Sequence, residues 1–168
     1  MKKETIIHPL QPIYTEDSLI LILGSLPSKK SREENFYYAN PKNRFWSVLS
    51  QIFQETPKTK EEKITFLKKH RLALWDVIHS CDIKGSSDAS ICNVKANNIS
   101  SLIKKTKIKY IIATGQTAKK YYDKFLLPKT KIEAIVLPST SPANAKVKED
   151  ELIKKYKVIK DLLERGNL

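Results

Sequence analysis

The residues with the most chemical content lie in two stretches of the 168-residue sequence. The first combines Gly24-Ser-Leu-Pro-Ser28 with Tyr37-Tyr-Ala-Asn-Pro-Lys-Asn-Arg-Phe-Trp46; the second is Pro138-Ser-Thr-Ser-Pro-Ala-Asn144. Gly24 lets the backbone approach a ligand closely, and Pro27 stiffens the turn behind it. The hydroxyls of Ser28 and Ser31 suit phosphate oxygens. Tyr37 and Tyr38 offer flat faces on which a nucleobase can stack, a contact worth about 1–3 kcal/mol per base. Asn43 has an amide that can orient a water molecule, and it precedes a helical pattern, where an N-cap is also expected. Arg44 can pair with a phosphate or a carboxylate.

Other chemistries find less support. His8, His70, His79, Cys81 and Cys92 are scattered, with no CxxC or Cys/His cluster, so neither a metal centre nor a disulfide framework is expected. No GxxxxGK[ST] phosphate loop is present, and no carboxylate cluster gathers for Mg²⁺. The two cysteines are expected to be packing residues.

The elements that must position these stretches follow from hydropathy. Leu19-Ile-Leu-Ile-Leu23 is an unbroken apolar run that stops at Gly24; Tyr110–Ala113 stops before Gly115, and Ala134–Leu137 stops at Pro138. Continuous runs of this length indicate strands covered on both faces, usually in a parallel sheet. Residues 72–78 supply a further strand. Helical stripes lie between: Phe45, Val48, Leu49 and Ile52; Ile99, Leu102 and Ile103, capped by Asn97 or Asn98; residues 116–125; and Leu152, Tyr156, Ile159 and Leu163 on one last helix. Alternation of this kind predicts a single domain over residues 1–168, a three-layer α/β/α sandwich whose central, mostly parallel sheet has about four strands. In such folds ligands bind at the carboxyl ends of the strands, where both chemical stretches fall.

With 31 basic and 18 acidic residues the formal net charge is +13, which favours a polyanionic partner, although lysine-rich helix faces give the same excess. No apolar run approaches the roughly 20 residues that span a bilayer, so no membrane partner is expected. The polar start, Met1-Lys2-Lys3-Glu4, has no secretory core, and a cytoplasmic location is expected.

A strand, then GSxPS, then YYxxPxNxFW resembles the hypoxanthine (deoxyinosine) branch of the uracil-DNA glycosylase superfamily. The Tyr38–Trp46 stretch is also similar to the mismatch-specific uracil-DNA glycosylases, and Leu137-Pro-Ser-Thr-Ser-Pro-Ala-Asn-Ala145 stands where the second superfamily motif belongs. Leu74-Trp-Asp-Val77 and Gly85-Ser-Ser-Asp88 resemble the hypoxanthine branch as well. Two departures matter. Leu26 stands where the mismatch-specific enzymes carry a water-activating Asn, and Asn40 stands where they carry a His.

The resemblance implies a monomeric DNA glycosylase; the scattered His and Cys residues make it metal-independent and without cofactor, and, with no lysine standing out as a Schiff-base nucleophile, it is expected to be monofunctional. It would hydrolyse the N-glycosidic bond of a deaminated base, hypoxanthine above all, flipped out of double-stranded or single-stranded DNA; uracil is the alternative base. It assigns Asn43 to the water, Gly24, Ser25, Leu26, Pro27 and Tyr38 to the base, and Ser28, Ser31, Arg44 and Pro138, Ser139, Thr140, Ser141, Pro142, Ala143 and Asn144 to DNA. Asp76, Asp88 and His79 could support the site, with Asp76 read first as structural. Two rivals stand beside this reading: a DNA-binding module that has lost activity, to which Leu26 points, and a hydrolase of free nucleotides.

Overall fold

A computed structural model describes residues 3–85 and 87–166; Met1, Lys2, Asn167, Leu168 and Ser86 of the Gly85–Asp88 string lie outside it. In chain order the elements are β1 (Lys3–Ile7), β2 (Ile20–Gly24), α1 (Lys29–Glu34), α2 (Phe45–Phe53), α3 (Lys60–Lys69), β3 (Leu72–Asp76), β4 (Ile78–Lys84) and β5 (Cys92–Ala96). There follow α4 (Ile99–Lys104), β6 (Tyr110–Thr114), α5 (Gln116–Phe125), the short α6 (Leu127–Thr130), β7 (Ala134–Leu137), α7 (Glu149–Tyr156) and α8 (Val158–Gly166).

The four apolar segments form one parallel sheet in the order β3-β2-β6-β7. All five residues of β2 are buried, as a strand covered on both faces requires. Successive side chains of a strand point to opposite faces. Ile20 and Ile22 accordingly join Leu49, Leu67, Leu152 and Ile159 of α2, α3, α7 and α8, whereas Leu21 and Leu23 join Leu102 and Tyr122 of α4 and α5. This is the α/β/α sandwich.

Several features depart from the sequence reading. The strand over residues 72–78 ends at Asp76; the chain turns at Val77, whose N–H donates to Gly24 O (2.8 Å), and β4 begins in a second sheet. That sheet is antiparallel, in the order β1-β4-β5, and packs Cys81 and Ile83 into the core on the α4/α5 side. The stripe assigned to one last helix is divided at Lys157 between α7 and α8, although Leu152, Tyr156, Ile159 and Leu163 all stay buried. Helix α3, unanticipated, opens with a capping box in which Thr59 accepts from Glu62 N and the Glu62 side chain accepts from Thr59 N. Asn98 rather than Asn97 caps α4, accepting from Ser101 N at 3.1 Å.

Candidate active site

Gly24 is the last residue of β2, paired with Asp76 at the end of β3. A Cβ on Gly24 would lie 2.5 Å from Asp76 Oδ1, 3.5 Å from the Tyr38 hydroxyl and 3.7 Å from Thr114 Oγ1. Only glycine leaves those three polar groups room to converge. Its carbonyl and that of Ser25 accept from Val77 N and Ile78 N, so the turn beyond β2 is tied to the start of β4.

After this turn Ser28 caps α1, its hydroxyl accepting from Ser31 N. Ser31 is 2 % exposed, and its hydroxyl accepts from Ala39 N at 3.1 Å, which fastens the aromatic loop to α1. Ser31, expected at a phosphate, serves the loop. Tyr37 is buried and donates its hydroxyl to Gln11 O (2.7 Å). Tyr38 has a left-handed backbone (φ 53°) and stacks on Phe45 with centroids 3.8 Å apart and planes 10° apart. Phe45 covers one face of the Tyr38 ring, so at most the other can receive a base. The Tyr38 hydroxyl is buried without a hydrogen-bond partner among the described residues. Thr114 Oγ1 gives its proton to Leu23 O (3.2 Å). Burial, reinforced by the Asp76 carboxylate, pushes the Tyr38 phenol far above its ordinary value and keeps it a proton donor.

Asn43 links the two chemical stretches. Its Oδ1 accepts from Phe45 N (2.9 Å) at the start of α2 and from the Thr140 hydroxyl (2.8 Å) of the second stretch. Both lone pairs are thereby engaged and the amide orientation is fixed, because a backbone N–H can only donate. The NH₂ is what Asn43 retains for a ligand. The N-cap of α2 is Arg44 rather than Asn43; Asn43 stands one residue earlier, accepts from Phe45 N in the first turn and lines the cavity.

Arg44 follows a different course from the one its type suggested. Its backbone N–H donates to Thr140 O (3.1 Å), and its guanidinium donates to Ser141 O (3.1 Å), Asn144 O (3.0 Å) and Val147 O. Instead of a phosphate it holds three carbonyls of the second stretch. Asn144 likewise turns inward, donating from Nδ2 to Ser139 O (2.9 Å), while Tyr156 donates to Pro138 O (2.5 Å). Pro142 and Ala143 remain exposed at the tip of this loop.

These elements enclose a cavity of about 440 Å³ at the carboxyl end of the parallel sheet. Of the residues expected at the site, Gly24, Ser25, Leu26, Pro27, Ser28, Ser31, Tyr38, Asn43, Ser139, Thr140, Ser141 and Ala143 line it. Pro138 and Asn144 face an adjoining depression, and Arg44 lies behind the loop. Among the supporting candidates, Asp76 and Asp88 reach the cavity, whereas His79 is exposed and bonds Asn97 (3.3 Å). Sequence reasoning missed Thr114 and the buried partner of Asp76, which is His8. Neither belongs to a motif. Among the described residues no three His, Cys, Asp or Glu side chains gather as a metal would need, and no helix is long and apolar enough to cross a membrane.

Comparison with known proteins agrees with the geometry. Residues 11–163 match the family model described as the uracil DNA glycosylase superfamily. A hypoxanthine DNA glycosylase of Methanosarcina acetivorans is 37% identical over 135 residues, which is 79% of this chain and 84% of that protein. One from Methanosarcina barkeri is 31% identical over 136 residues, 79% of this chain and 85% of the other. A solution NMR structure of a candidate uracil DNA glycosylase from M. acetivorans superposes with a TM-score of 0.77 at 33% identity, covering 91% of this chain and 98% of that one.

Proposed function

Since the chain belongs to the uracil DNA glycosylase superfamily, we propose that it is a monofunctional DNA glycosylase that hydrolyses the N-glycosidic bond of hypoxanthine in DNA. The observation that carries this reading is the meeting of residues 24–43 and 139–143 around one cavity, bridged by the Thr140–Asn43 hydrogen bond. The names of the two Methanosarcina relatives supply the base.

The deoxynucleotide leaves the duplex at a cost of a few kcal/mol, least at a weak pair. Its base enters between the Gly24–Pro27 turn and Tyr38. Cleavage builds positive charge on the sugar and negative charge on the departing base, and preorganised donors facing that base lower the barrier. Asn43 holds the attacking water through its NH₂. It cannot take a proton, but an oxocarbenium-like sugar needs only a well-placed weak nucleophile. Leu26, which lines the cavity where an amide would stand in the mismatch-specific enzymes, contributes apolar surface. The exposed tip Pro142–Ala143 occupies the gap left in the stack, and Ser28, Ser139 and Ser141 approach phosphates. The enzyme acts as an intracellular monomer on double-stranded DNA.

The test uses end-labelled duplexes with one deoxyinosine, deoxyuridine or deoxyxanthosine, incubated in EDTA and cleaved at abasic sites with alkali. Hypoxanthine release that is lost in Asn43→Ala while duplex binding persists supports the reading. Release of uracil alone changes the substrate. Tight binding without release of any base leaves a DNA-binding module that has lost activity.

A further inference from the structure

His8 lies outside the family match, which begins at residue 11, yet its imidazole is buried at the back of the cavity wall. It sits just beyond β1, held by its own N–H donating to His79 O (2.6 Å). Its Nδ1 accepts from Leu10 N (3.2 Å), which places the ring proton on Nε2, and Nε2 donates to Asp76 Oδ2 (2.7 Å). Asp76 is 4 % exposed, and its backbone carbonyl is fixed by Asn97 Nδ2 (2.8 Å). One carboxylate oxygen is therefore taken by His8. The other, Oδ1, has no donor among the described residues, lies beside Gly24 and belongs to a side chain that lines the cavity. The unpartnered Tyr38 hydroxyl flanks the same point on Gly24.

A carboxylate oxygen without a donor and a buried hydroxyl, both next to Gly24, form a template for a ligand edge with the opposite order. We infer that Asp76 Oδ1 and the Tyr38 hydroxyl read the lactam edge of the flipped base, Asp76 accepting the ring N–H and Tyr38 donating to the adjacent carbonyl, with His8 as the positioning residue that leaves Asp76 one free oxygen. Hypoxanthine presents N1–H beside O6, which matches. Adenine presents a bare N1 beside an amino group, which sets a lone pair against the carboxylate. A site built on buried polar groups rejects a base that leaves them unpaired. This rests on the glycosylase reading above and adds to it the chemical basis on which adenine is refused.

The pair makes an orientational prediction. In Asp76→Asn the His8 donor would draw the amide oxygen toward itself and turn the NH₂ into the cavity, where it would oppose the N1–H of hypoxanthine. Single-turnover rates are measured on duplexes carrying deoxyinosine or 2′-deoxynebularine, whose base is unsubstituted purine with neither N1–H nor O6. The readout is the inosine-to-nebularine ratio, because a merely structural defect lowers both rates together. The ratio should fall roughly 10- to 100-fold in Asp76→Asn, the scale of one charge-assisted hydrogen bond. It should also fall in His8→Ala and in Tyr38→Phe. It should return to within about three-fold of the wild type in His8→Gln, whose amide can reach the carboxylate as Nε2 does. Thermal unfolding of each variant shows which are folded; should His8→Ala be unfolded, Asp76→Asn and His8→Gln decide. A ratio unchanged in folded Asp76→Asn overturns the inference, whatever happens to the absolute rates. Were the wild type to bind both duplexes and cleave neither, the glycosylase reading would fail. The ratio of the two dissociation constants, compared across the same variants, would then judge the lactam reading alone.

Discussion

Arg44 separates two accounts of the site. A cation in a DNA-binding motif is expected at a phosphate, whereas in the structure Arg44 donates to the carbonyls of Ser141, Asn144 and Val147. Arg44→Met keeps most of the apolar stem and removes all three bonds. Hydrogen bonds to a charged group contribute about 1.5–3 kcal/mol each, but the three share one guanidinium that is partly exposed, so their sum is discounted. A net loss of about 2 kcal/mol is expected, which for a chain of this size lowers Tm by roughly 4–8 °C. Each phosphate contact contributes about 0.9 to the slope of log K against log salt, so a phosphate-binding arginine would take nearly one unit with it. Because Arg44 faces protein, the slope should stay at the wild-type value while affinity falls at every salt concentration, through disorder in residues 141–147. Calorimetric unfolding and duplex binding at four or five salt concentrations measure both quantities. An unchanged Tm together with a slope shallower by one unit would refute the reasoning.

Three further outcomes follow from the same contacts. Gly24→Ala places a methyl 2.5 Å from an Asp76 oxygen that His8 prevents from yielding; it should destabilise the fold by about 1–3 kcal/mol and abolish base release, checked by urea unfolding and the alkali assay. Thr140→Val removes one of the two donors that orient Asn43 at a site 1 % exposed; kcat should fall more than stability, which should change by about 1 kcal/mol. Burial pushes the Cys81 thiol up, and the side chain is 1 % exposed, whereas Cys92 is partly open; in native protein at pH 8 a thiol reagent should modify Cys92 first and Cys81 only as the protein opens.

What could be read in the sequence was whatever one segment decides by itself. The strands β2, β6 and β7 are unbroken apolar runs because both their faces are covered, and that pattern owes nothing to their neighbours. The glycine and serine punctuation after them therefore marked the end of the sheet where the cavity opens. The antiparallel sheet was not legible: β4 reads Ile-His-Ser-Cys-Asp-Ile-Lys, an irregular mixture in which only Ile78, Cys81 and Ile83 are buried. Its fate depends on β1, some 75 residues earlier, with which it pairs from Lys3↔Lys84 to Ile7↔Ser80.

The same distinction runs through the site. A residue type states which bonds a side chain can make, and the fold chooses among them. Asn43 could cap a helix or face a ligand, and its position between α2 and Thr140 engages its oxygen with Phe45 N and the Thr140 hydroxyl and leaves the NH₂ spare, while the N-cap falls to Arg44. Arg44, its neighbour, is drawn inward by carbonyls about 100 residues away in the chain, which only the closed fold supplies. Asp76 looked structural because an isolated carboxylate at a strand end has many uses. What distinguishes it is that one oxygen is taken by His8, 68 residues earlier, and the other is left beside Gly24. A buried carboxylate with a single satisfied oxygen is costly to keep unless something else completes it. That cost makes the His8–Asp76 pair a poor structural brace and a good ligand acceptor, and it makes refusal of adenine depend on His8, a residue that neither sequence motif contains.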